Sequence, residues 1–570
     1  MTSFGIDFGT TNSVVAQFAA GEVSVLQIDR PPSGEWETFG YQNVMPTVFA
    51  VGGDNEPLFG FAAKMRHDNK IEAVKRLFKG EEVVEVGGQT FLVEEVAALI
   101  FGHLRSAATK WGGPQVTQAV ITVPANSRGL ARARTKICAG MGGIQVLTLI
   151  NEPTAAAMAH GYKAPGDKTV LVVDWGGGTL DVTLLESMDQ VFHEQSSSGV
   201  IECGGLDFDR ILFNKLRAAS TGVESWSPAD VGALKIECEK AKIKLSAAEE
   251  TNVAMPAGEY RHVTRRFFEE ETRALVDRVR NPIERTLSDG KRQPSDIDTL
   301  LLVGGTCRIP AVRQFICELL NMDPAPNIDP MTAIAEGAAI AAAIMSGELE
   351  STDFLVSTEH ALGTTVMGRM PGTLEFSEII PRNHKLPAKR TETYVPAVDL
   401  QEAVKIDILE GDPAAGLDDP DIIELCSWSV PITPRPRGET SLDLTYEYKM
   451  DGIVYVTLVD NVTREVILAE EVTTGVTQDK RQLVEIAQRV DQTIESHEVQ
   501  RTEVSSTTRD PQVLLLLQQA RQKVMPFLDD AQASRIGDLV TTLEAAGSES
   551  EVAAASEALS AELRKYSYLL

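Results

Sequence analysis

Asp174 closes a run of four apolar residues, Val170-Leu171-Val172-Val173. Trp175, three consecutive glycines (Gly176, Gly177, Gly178), Thr179, Leu180 and a second acid, Asp181, come next. The apolar run reads as a buried strand. Successive glycines let a backbone bend tightly and present its N–H groups to an anion, which suits a phosphate. The two aspartates are hard oxygen donors of the kind a hydrated Mg²⁺ accepts. Alone, such a stretch reads equally well as a Gly-rich hairpin turn. A second stretch tips the balance. Phe4-Gly5-Ile6-Asp7-Phe8-Gly9-Thr10-Thr11-Asn12-Ser13 repeats the order of strand, acid, glycine and hydroxyls, and a second strand, Val14-Val15-Ala16, comes directly after. One Asp-x-Gly-Thr is a weak signal. Two far apart in one chain point to an internally duplicated α/β fold, with two phosphate loops facing a shared cleft.

Other residues in this half carry open readings. Glu152 stands where the short strand Leu147-Thr148-Leu149-Ile150 meets an alanine-rich helix with Pro153 in its first turn. Such a corner suits a catalytic carboxylate and equally a plain helix cap. Lys75, in Val74-Lys75-Arg76-Leu77-Phe78 at the end of an expected helical stretch after Gly60, reads by itself as a solvated helix lysine. Glu239, Lys242 and Ser246 are spaced i, i+3, i+7 and share one helix face, which unaided is an exposed charged face. Ala119-Val120-Ile121-Thr122-Val123 is a buried strand stopped by Pro124, and residues 126–140 read as a helix carrying Arg128, Arg132 and Arg134. Cys203-Gly204-Gly205 opens a further helix. Thr299-Leu300-Leu301-Leu302-Val303 runs into Gly304 and Gly305, a third strand-to-glycine element. Residues 331–345 are almost all alanine and isoleucine, a helix that packs inside, stopped by Gly347.

At 570 residues the chain exceeds one core, so two to four domains are expected. Its 43% hydrophobic and 24% charged residues are those of an ordinary soluble globular protein. The 82 acidic against 53 basic residues argue against nucleic acid or an anionic membrane as main partners. Six dispersed cysteines without a C-x-x-C pair suit a reducing compartment, and the eight histidines have no metal-ligand spacing. With no export segment at its start and no apolar run of the ~20 residues that span a bilayer, the expected setting is the cytoplasm.

Residues 348–360 turn polar and acidic around Phe354-Leu355-Val356 and read as an interdomain linker between residues 1–347 and the rest of the chain. The period then changes to two, in Val404-Lys405-Ile406-Asp407-Ile408, in Leu442-Asp443-Leu444-Thr445-Tyr446 and in Val454-Tyr455-Val456-Thr457-Leu458. Asp451-Gly452 supplies a hairpin turn, so residues 361–475 read as a β-sandwich. Residues 476–570 return to a helical period, with Leu483, Ile486, Val490 and Ile494 on one stripe. Three or four amphipathic helices, broken at 505–510 and at Ala546-Gly547-Ser548, read as a bundle.

Gly5 to Asn12, Ile121-Thr122-Val123-Pro124-Ala125, Asn151-Glu152-Pro153-Thr154-Ala155-Ala156-Ala157, Asp174 to Asp181, Glu239 to Ser246 and Leu302 to Pro310 occur in one order and spacing. Together they resemble the 70-kDa heat-shock chaperone family in its DnaK-like form. The resemblance is strong over residues 3–345, looser in the sandwich, and rests on length and order in the helical tail. It implies an actin-like two-lobed ATPase domain, a peptide-binding sandwich and a helical lid, with ATP/ADP and Mg²⁺ as cofactors. By that resemblance Thr10, Thr11, Asn12 and Gly176, Gly177, Gly178 and Thr179 would hold the phosphates, and Asp7 and Asp174 the Mg²⁺ through water. Lys75 would sit beside the γ-phosphate, while Glu152 and Asp181 orient the attacking water, with Thr179 close by. Gly204, Gly205, Glu239, Lys242, Ser246, Gly304, Gly305 and Arg308 would surround the rest of the nucleotide. Pro124 and Arg132 match positions that relay nucleotide state toward the linker. Met367, Met370, Tyr394, Ala397, Val404 and Ile406 match an apolar groove for an extended peptide, although the same six would serve as ordinary core.

The implied partners are unfolded client polypeptides, a J-domain co-chaperone and a nucleotide-exchange factor. Several departures bear on them. Asp329-Pro330-Met331-Thr332 stands where the family usually has Asn-Pro-Asp-Glu, so one carboxylate is missing on the nucleoside side. The segment after Lys79-Gly80 is short, as is the loop from Ser246 to Tyr260, on the lobe where exchange factors dock. In the linker, Phe354-Leu355-Val356 lies between Asp353 and Ser357, where the family carries a leucine-rich run. Two functions are expected from this pattern: an ATP-dependent chaperone with peptide affinity switched by hydrolysis, or a nucleotide-gated regulatory module serving a dedicated partner.

Overall fold

The computed structural model describes residues 2–350 except 33, 54, 79–82, 112, 126, 128, 164–167 and 189–190. It describes 358–472 except 359, 369, 371, 383, 420–421 and 450–453, and then 483, 485–495, 516–517, 520, 525, 530–545 and 549–564. The Phe354-Leu355-Val356 triplet, the Asp451-Gly452 turn and the breaks at 505–510 and 546–548 lie outside the described residues. By contacts the chain divides into two compact units, 1–491 and 492–570.

Two sheets carry the first half of the larger unit. In the first, Ser3–Phe8 pairs antiparallel with Asn12–Ala19 and parallel with Gln118–Val123, which in turn pairs parallel with Gln145–Asn151. Glu22–Val25 and Met45–Pro46 complete its six strands. The second repeats the scheme: Thr169–Trp175 pairs antiparallel with Thr179–Met188 and parallel with Thr299–Val303, and Val191–Ile201 lies outside. In each sheet a hairpin turn carries one of the two acid–glycine–hydroxyl sequences. A strand buried on both faces reads as a continuous apolar run, as Thr169–Trp175 does.

The helix Ala333–Met345 packs against Ser3–Phe8 and against the helix Glu152–Lys163. Its run of alanines allows backbones to approach. A Cβ added at Gly337 would lie 1.7 Å from the Ala155 carbonyl oxygen, and one at Gly5 would lie 2.1 Å from the Ala339 nitrogen. Between Gly60 and Phe78 the structure differs from the single helical stretch expected. Short helices, Gly60–Lys64 and Val74–Leu77, flank the strand Lys70–Glu72, which pairs with Val48–Val51. Ala73 sits in the left-handed region at φ 55° and ends any continuous helix before Lys75.

From Ala361 onward, two four-stranded antiparallel sheets face each other. One holds Leu374–Ile380, Ala361–Met367, Ala403–Gly411 and Ile423–Pro431; the other holds Ala388–Tyr394, Leu442–Tyr448, Val454–Asp460 and Val466–Val472. Inward residues such as Ile408, Leu444, Tyr446 and Val456 form the core, and the Tyr446 hydroxyl donates to the Gly363 carbonyl at 3.0 Å. In the smaller unit the helices Asp530–Ala545 and Glu549–Arg564 share a core of Leu517, Ile536, Val540, Leu543, Leu559 and Leu563.

Because Gly337 has backbone on the side where a methyl would go, Gly337→Ala is expected to cost about 1–3 kcal/mol of stability. A urea midpoint equal to wild type would show that the two helices pack less closely.

Candidate active site

The two hairpin turns meet face to face. A Cβ on Gly177 would fall 2.2 Å from Thr11 Cγ2, and one on Gly178 would fall 2.7 Å from Thr10 Cγ2. Only glycine lets the loops come this close. The second loop is fixed from behind: Gly205 N–H donates to the Gly176 carbonyl at 3.0 Å, Leu206 N–H to Gly177 at 3.0 Å, and Thr306 Oγ1 to Gly176 at 2.8 Å. Between the loops lies a cavity of about 70 Å³ walled by Asp7, Thr10, Lys75, Glu152, Asp174 and Thr179, with Gly176, Gly304 and Pro124 at its edges. A larger one of about 550 Å³ holds Glu239, Lys242, Ser246, Gly205 and Arg308. The two share Thr11, Asn12, Gly177 and Gly305. Asp181 and Gly204 stand off these walls. Asp181 is buried opposite Asp174 in the sheet register, and Gly204 caps the helix Gly205–Ala218 behind Gly177.

The small cavity concentrates negative charge. Lys75 Nζ donates to the Phe8 carbonyl at 2.7 Å and to Glu152 Oε1 at 2.9 Å, with both side chains about a tenth exposed. Asp7 accepts from Thr122 Oγ1 at 3.1 Å. Burial, then the neighbouring Glu152, raise the Asp7 carboxyl to about 7, against the pull of Lys75 and Thr122. Burial and the negative charges of Glu152, Asp181 and Asp7 hold Asp174 well above the usual carboxylate range. Such a cluster is relieved by a cation. Among the described residues no three acidic, histidine or cysteine side chains converge as a direct metal cage. Carboxylate oxygens of this kind are hard donors that Mg²⁺ accepts, an ion that usually keeps several of its own waters.

The larger cavity is bounded by paired charges. The helix Pro228–Ala247, capped by Ser227 and Asp230, carries Glu239 and Lys242 inward, with side chains only 20% and 14% exposed. Glu239 pairs with Lys64 at 2.7 Å; Lys242 pairs with Asp209 at 2.7 Å and donates to the Gly205 carbonyl at 3.1 Å. Burial opposes the Glu239 charge, but Lys64 and Lys242 outweigh it and lower its pKa. Asp209 goes the other way: burial exceeds the help of Lys242 and raises its carboxyl to about 6. Ser246 Oγ donates to the Lys242 carbonyl at 3.3 Å. Arg308 pairs with Asp329 at 2.7 Å, and Asp329 also accepts from the Met331 N–H at 2.9 Å. The Met331 sulfur lies 3.1 Å from where a Cβ of Gly305 would be, apolar at the position where the family carries a carboxylate. Among the lining residues not singled out in the sequence are Asp209, Thr38, Phe39 and Tyr41. Arg76, likewise not singled out, donates to the Gly178 carbonyl at 2.7 Å. The aromatic cluster Trp36-x-x-Phe39-x-Tyr41 in an otherwise polar stretch was the available signal.

The model for the family described as Hsp70 protein matches residues 61–569. The chain belongs to the Hsp70 family. Its architecture is accordingly the actin-like two-lobed ATPase followed by a β-sandwich, which are the paired sheets and the facing sheets described above. In this Hsp70 the residues matched to a peptide groove are spread over several settings. Met367 is exposed at the end of the strand Ala361–Met367, and Met370 and Ala397 are exposed beyond strands of the sandwich, Met370 at 67%. The half-buried Tyr394 shares a hydrogen bond with Ser377 Oγ at 2.9 Å, Val404 packs on the core, and Ile406 is buried within it. Arg132 is buried where ATPase and sandwich touch: Nη1 donates to Asn151 Oδ1 at 2.8 Å, and Nε lies 3.8 Å from Glu410. Asn151 Nδ2 donates to Glu194 at 3.1 Å, and Glu194 pairs with Arg382 of the sandwich at 2.7 Å.

Asp209 sets a pH dependence. Its folded pKa is raised, so its contribution to stability is full below about pH 4 and is lost as pH rises through about 6. Asn at this position cannot titrate. Urea unfolding of the nucleotide-free protein should show Asp209→Asn gaining on wild type between about pH 4 and 6; parallel curves would refute the raised pKa.

Proposed function

We propose that this Hsp70-family chain is an ATP-dependent chaperone, in which hydrolysis between the two lobes switches the grip of the sandwich on exposed apolar segments of unfolded proteins. The observation that carries the reading is the small cavity, where two glycine–hydroxyl loops face each other over a Lys75–Glu152 pair and two aspartates with raised pKa, Asp7 and Asp174. Members of the family are ATPases that use ATP or ADP with Mg²⁺ and bind client polypeptides.

In this reading the loops at Thr10, Thr11 and Gly176–Gly178 cradle the phosphates through backbone N–H groups and hydroxyls. Asp7 and Asp174 would hold a hydrated Mg²⁺, which would supply positive charge against the phosphate oxygens. Lys75, fixed by the Phe8 carbonyl and Glu152, presents an ammonium to charge that develops on the transferred phosphoryl. Glu152, with Asp181 behind the loop, orients the attacking water, and the Thr179 hydroxyl lies beside the γ-phosphate. Glu239, Lys242, Ser246, Gly305 and Arg308 take the nucleoside. Hydrolysis beside Glu152 is passed toward the sandwich through its neighbour Asn151, then Glu194 and Arg382, with Arg132 and Glu410 alongside. Met367 and Met370 offer apolar contact to an extended peptide. Residues 476–570 act as the lid, and the setting is cytoplasmic. The altered linker sequence, Asp353-Phe354-Leu355-Val356-Ser357, favours one competing reading, a nucleotide-gated module for a dedicated partner.

Release of a labelled unfolded peptide is expected to be faster with ATP than with ADP. Equal rates would sink the chaperone reading, and undetectable peptide binding with ATP binding intact would favour the dedicated module. Thr179→Ala and Lys75→Ala should each lower steady-state turnover by about 100-fold; unchanged turnover would overturn the site assignment. Arg382→Ala should leave basal turnover intact while shrinking the ATP effect on peptide release, and a full ATP effect would remove Glu194–Arg382 from the coupling.

A further inference from the structure

The larger cavity has a wall that neither the phosphate loops nor the nucleoside-side helix supplies. Thr38, Phe39 and Tyr41 reach it from the first lobe, opposite Ile243, Ser246 and Arg308 of the second. They come from a segment that leaves the first sheet after Glu22–Val25 and returns to it at Met45–Pro46. Its base is tied down where Asp29 Oδ2 accepts from the Phe61 N–H at 2.7 Å. Above that tie, Trp36 is 2% exposed and packs edge-on against Phe39, Tyr41 and Phe61, with ring centroids 5.5, 6.1 and 5.6 Å apart. The same cluster includes Ile236 and Ile243, which belong to the helix Pro228–Ala247 of the second lobe. Apolar side chains of both lobes thus share one small core across the mouth of the cleft.

Charge and backbone contacts run beside it. Glu35, in the short helix Glu35–Thr38, pairs with Lys244 and lies 3.8 Å from Lys240, both on the second-lobe helix. That helix also meets the first lobe where a Cβ on Gly232 would fall 2.0 Å from the His67 carbonyl oxygen. The Tyr41 hydroxyl is held neutral by burial and by the negative charges of Glu239 and Asp209. A neutral phenol beside an aromatic ring is the kind of surface on which a purine base stacks and to which it can hydrogen-bond.

We propose that Phe39 and Tyr41 are nucleoside-binding residues contributed by the first lobe, and that the aromatic segment carrying them clasps the lobes together and sets how long the nucleotide stays bound. The inference rests on the ATP-site reading given above. A nucleotide cannot leave the larger cavity while both lobes close on it. Opening them means pulling Trp36, Phe39 and Tyr41 away from Ile236 and Ile243 and breaking the Glu35 pairs. The clasp therefore slows release of product without touching the phosphates.

The test is dissociation of radiolabelled ADP from the full-length protein, chased with unlabelled ADP. Loss of two aromatic contacts in Phe39→Ala/Tyr41→Ala should speed release roughly tenfold. Glu35→Lys, at an exposed position, should speed it about threefold by facing Lys240 and Lys244 with like charge. Adding Lys244→Glu to that variant should return the rate toward wild type. Single-turnover hydrolysis of ATP already bound should be unchanged in Glu35→Lys. Unchanged release in Glu35→Lys and in the aromatic variant overturns the clasp, and a charge swap that fails to restore the rate overturns the Glu35 part of it. If the aromatic variant does not fold, the Glu35 series alone decides. Wild-type protein that retains no labelled ADP at all would instead overturn the ATP-site reading.

Discussion

Burying several carboxylates around one ammonium is the constraint on which the cleft depends. Asp7, Glu152 and Asp174 wall the small cavity, Asp181 is buried behind it, and Lys75 is the cation placed among them. Ionised groups out of water are costly and repel at short range; burial first, and then the neighbouring carboxylates, raise the pKa values of Asp7 and Asp174. The fold tolerates the arrangement because each acid stands at the end of a strand locked in a sheet, or at the first position of a helix. The carboxylates cannot move apart, and relief has to come from positive charge entering the cavity. Several carboxylates gathered around one Lys–Glu pair are a pattern typical of sites built for a ligand rather than for stability.

Much of this was legible in the residues. The repeated strand–acid–glycine–hydroxyl order anticipated two equivalent hairpin turns, and Gly177 against Thr11 shows why glycine had to recur: a side chain would occupy the space of the opposing loop. Period two was enough for the sandwich strands Leu442–Tyr448 and Val454–Asp460, whose inward and outward residues alternate cleanly, whereas in Ala403–Gly411 the run from Ile406 to Leu409 is buried on both faces. Other positions were not legible. Lys75 and the face of Glu239 and Lys242 look solvated in sequence, since nothing local records that another lobe closes over them. The break between Gly60 and Phe78 depended on sheet pairing by Lys70–Glu72, a tertiary effect that overrides helical pattern. Asp209 and Tyr41 escaped notice because they come from elements whose own periodicity says nothing about a cleft.

The junction with the sandwich differs in kind from the cleft. It is polar and chain-like: Arg132, Asn151, Glu194, Arg382 and Glu410 are linked by hydrogen bonds and ion pairs. Charged chains of this sort have a small net energy and strict geometry, so they suit contacts that form and break rather than permanent glue. Further along, Arg489 and Asp491 pair with Glu95 and Arg105 of the helix Val93–Lys110 at 2.9 and 3.0 Å. These partly exposed pairs are open to screening by salt.

The close seating of Gly337 on Ala155 has a mechanical consequence. Two helices whose backbones touch have no side-chain cushion between them, so neither can slide or roll independently. Glu152 begins one of them, and the other ends at Met345, just ahead of the segment that leads to the sandwich. A shift imposed at Glu152 is therefore felt by both helices. The alanines of the second helix carry the corner at Glu152 as far as Met345.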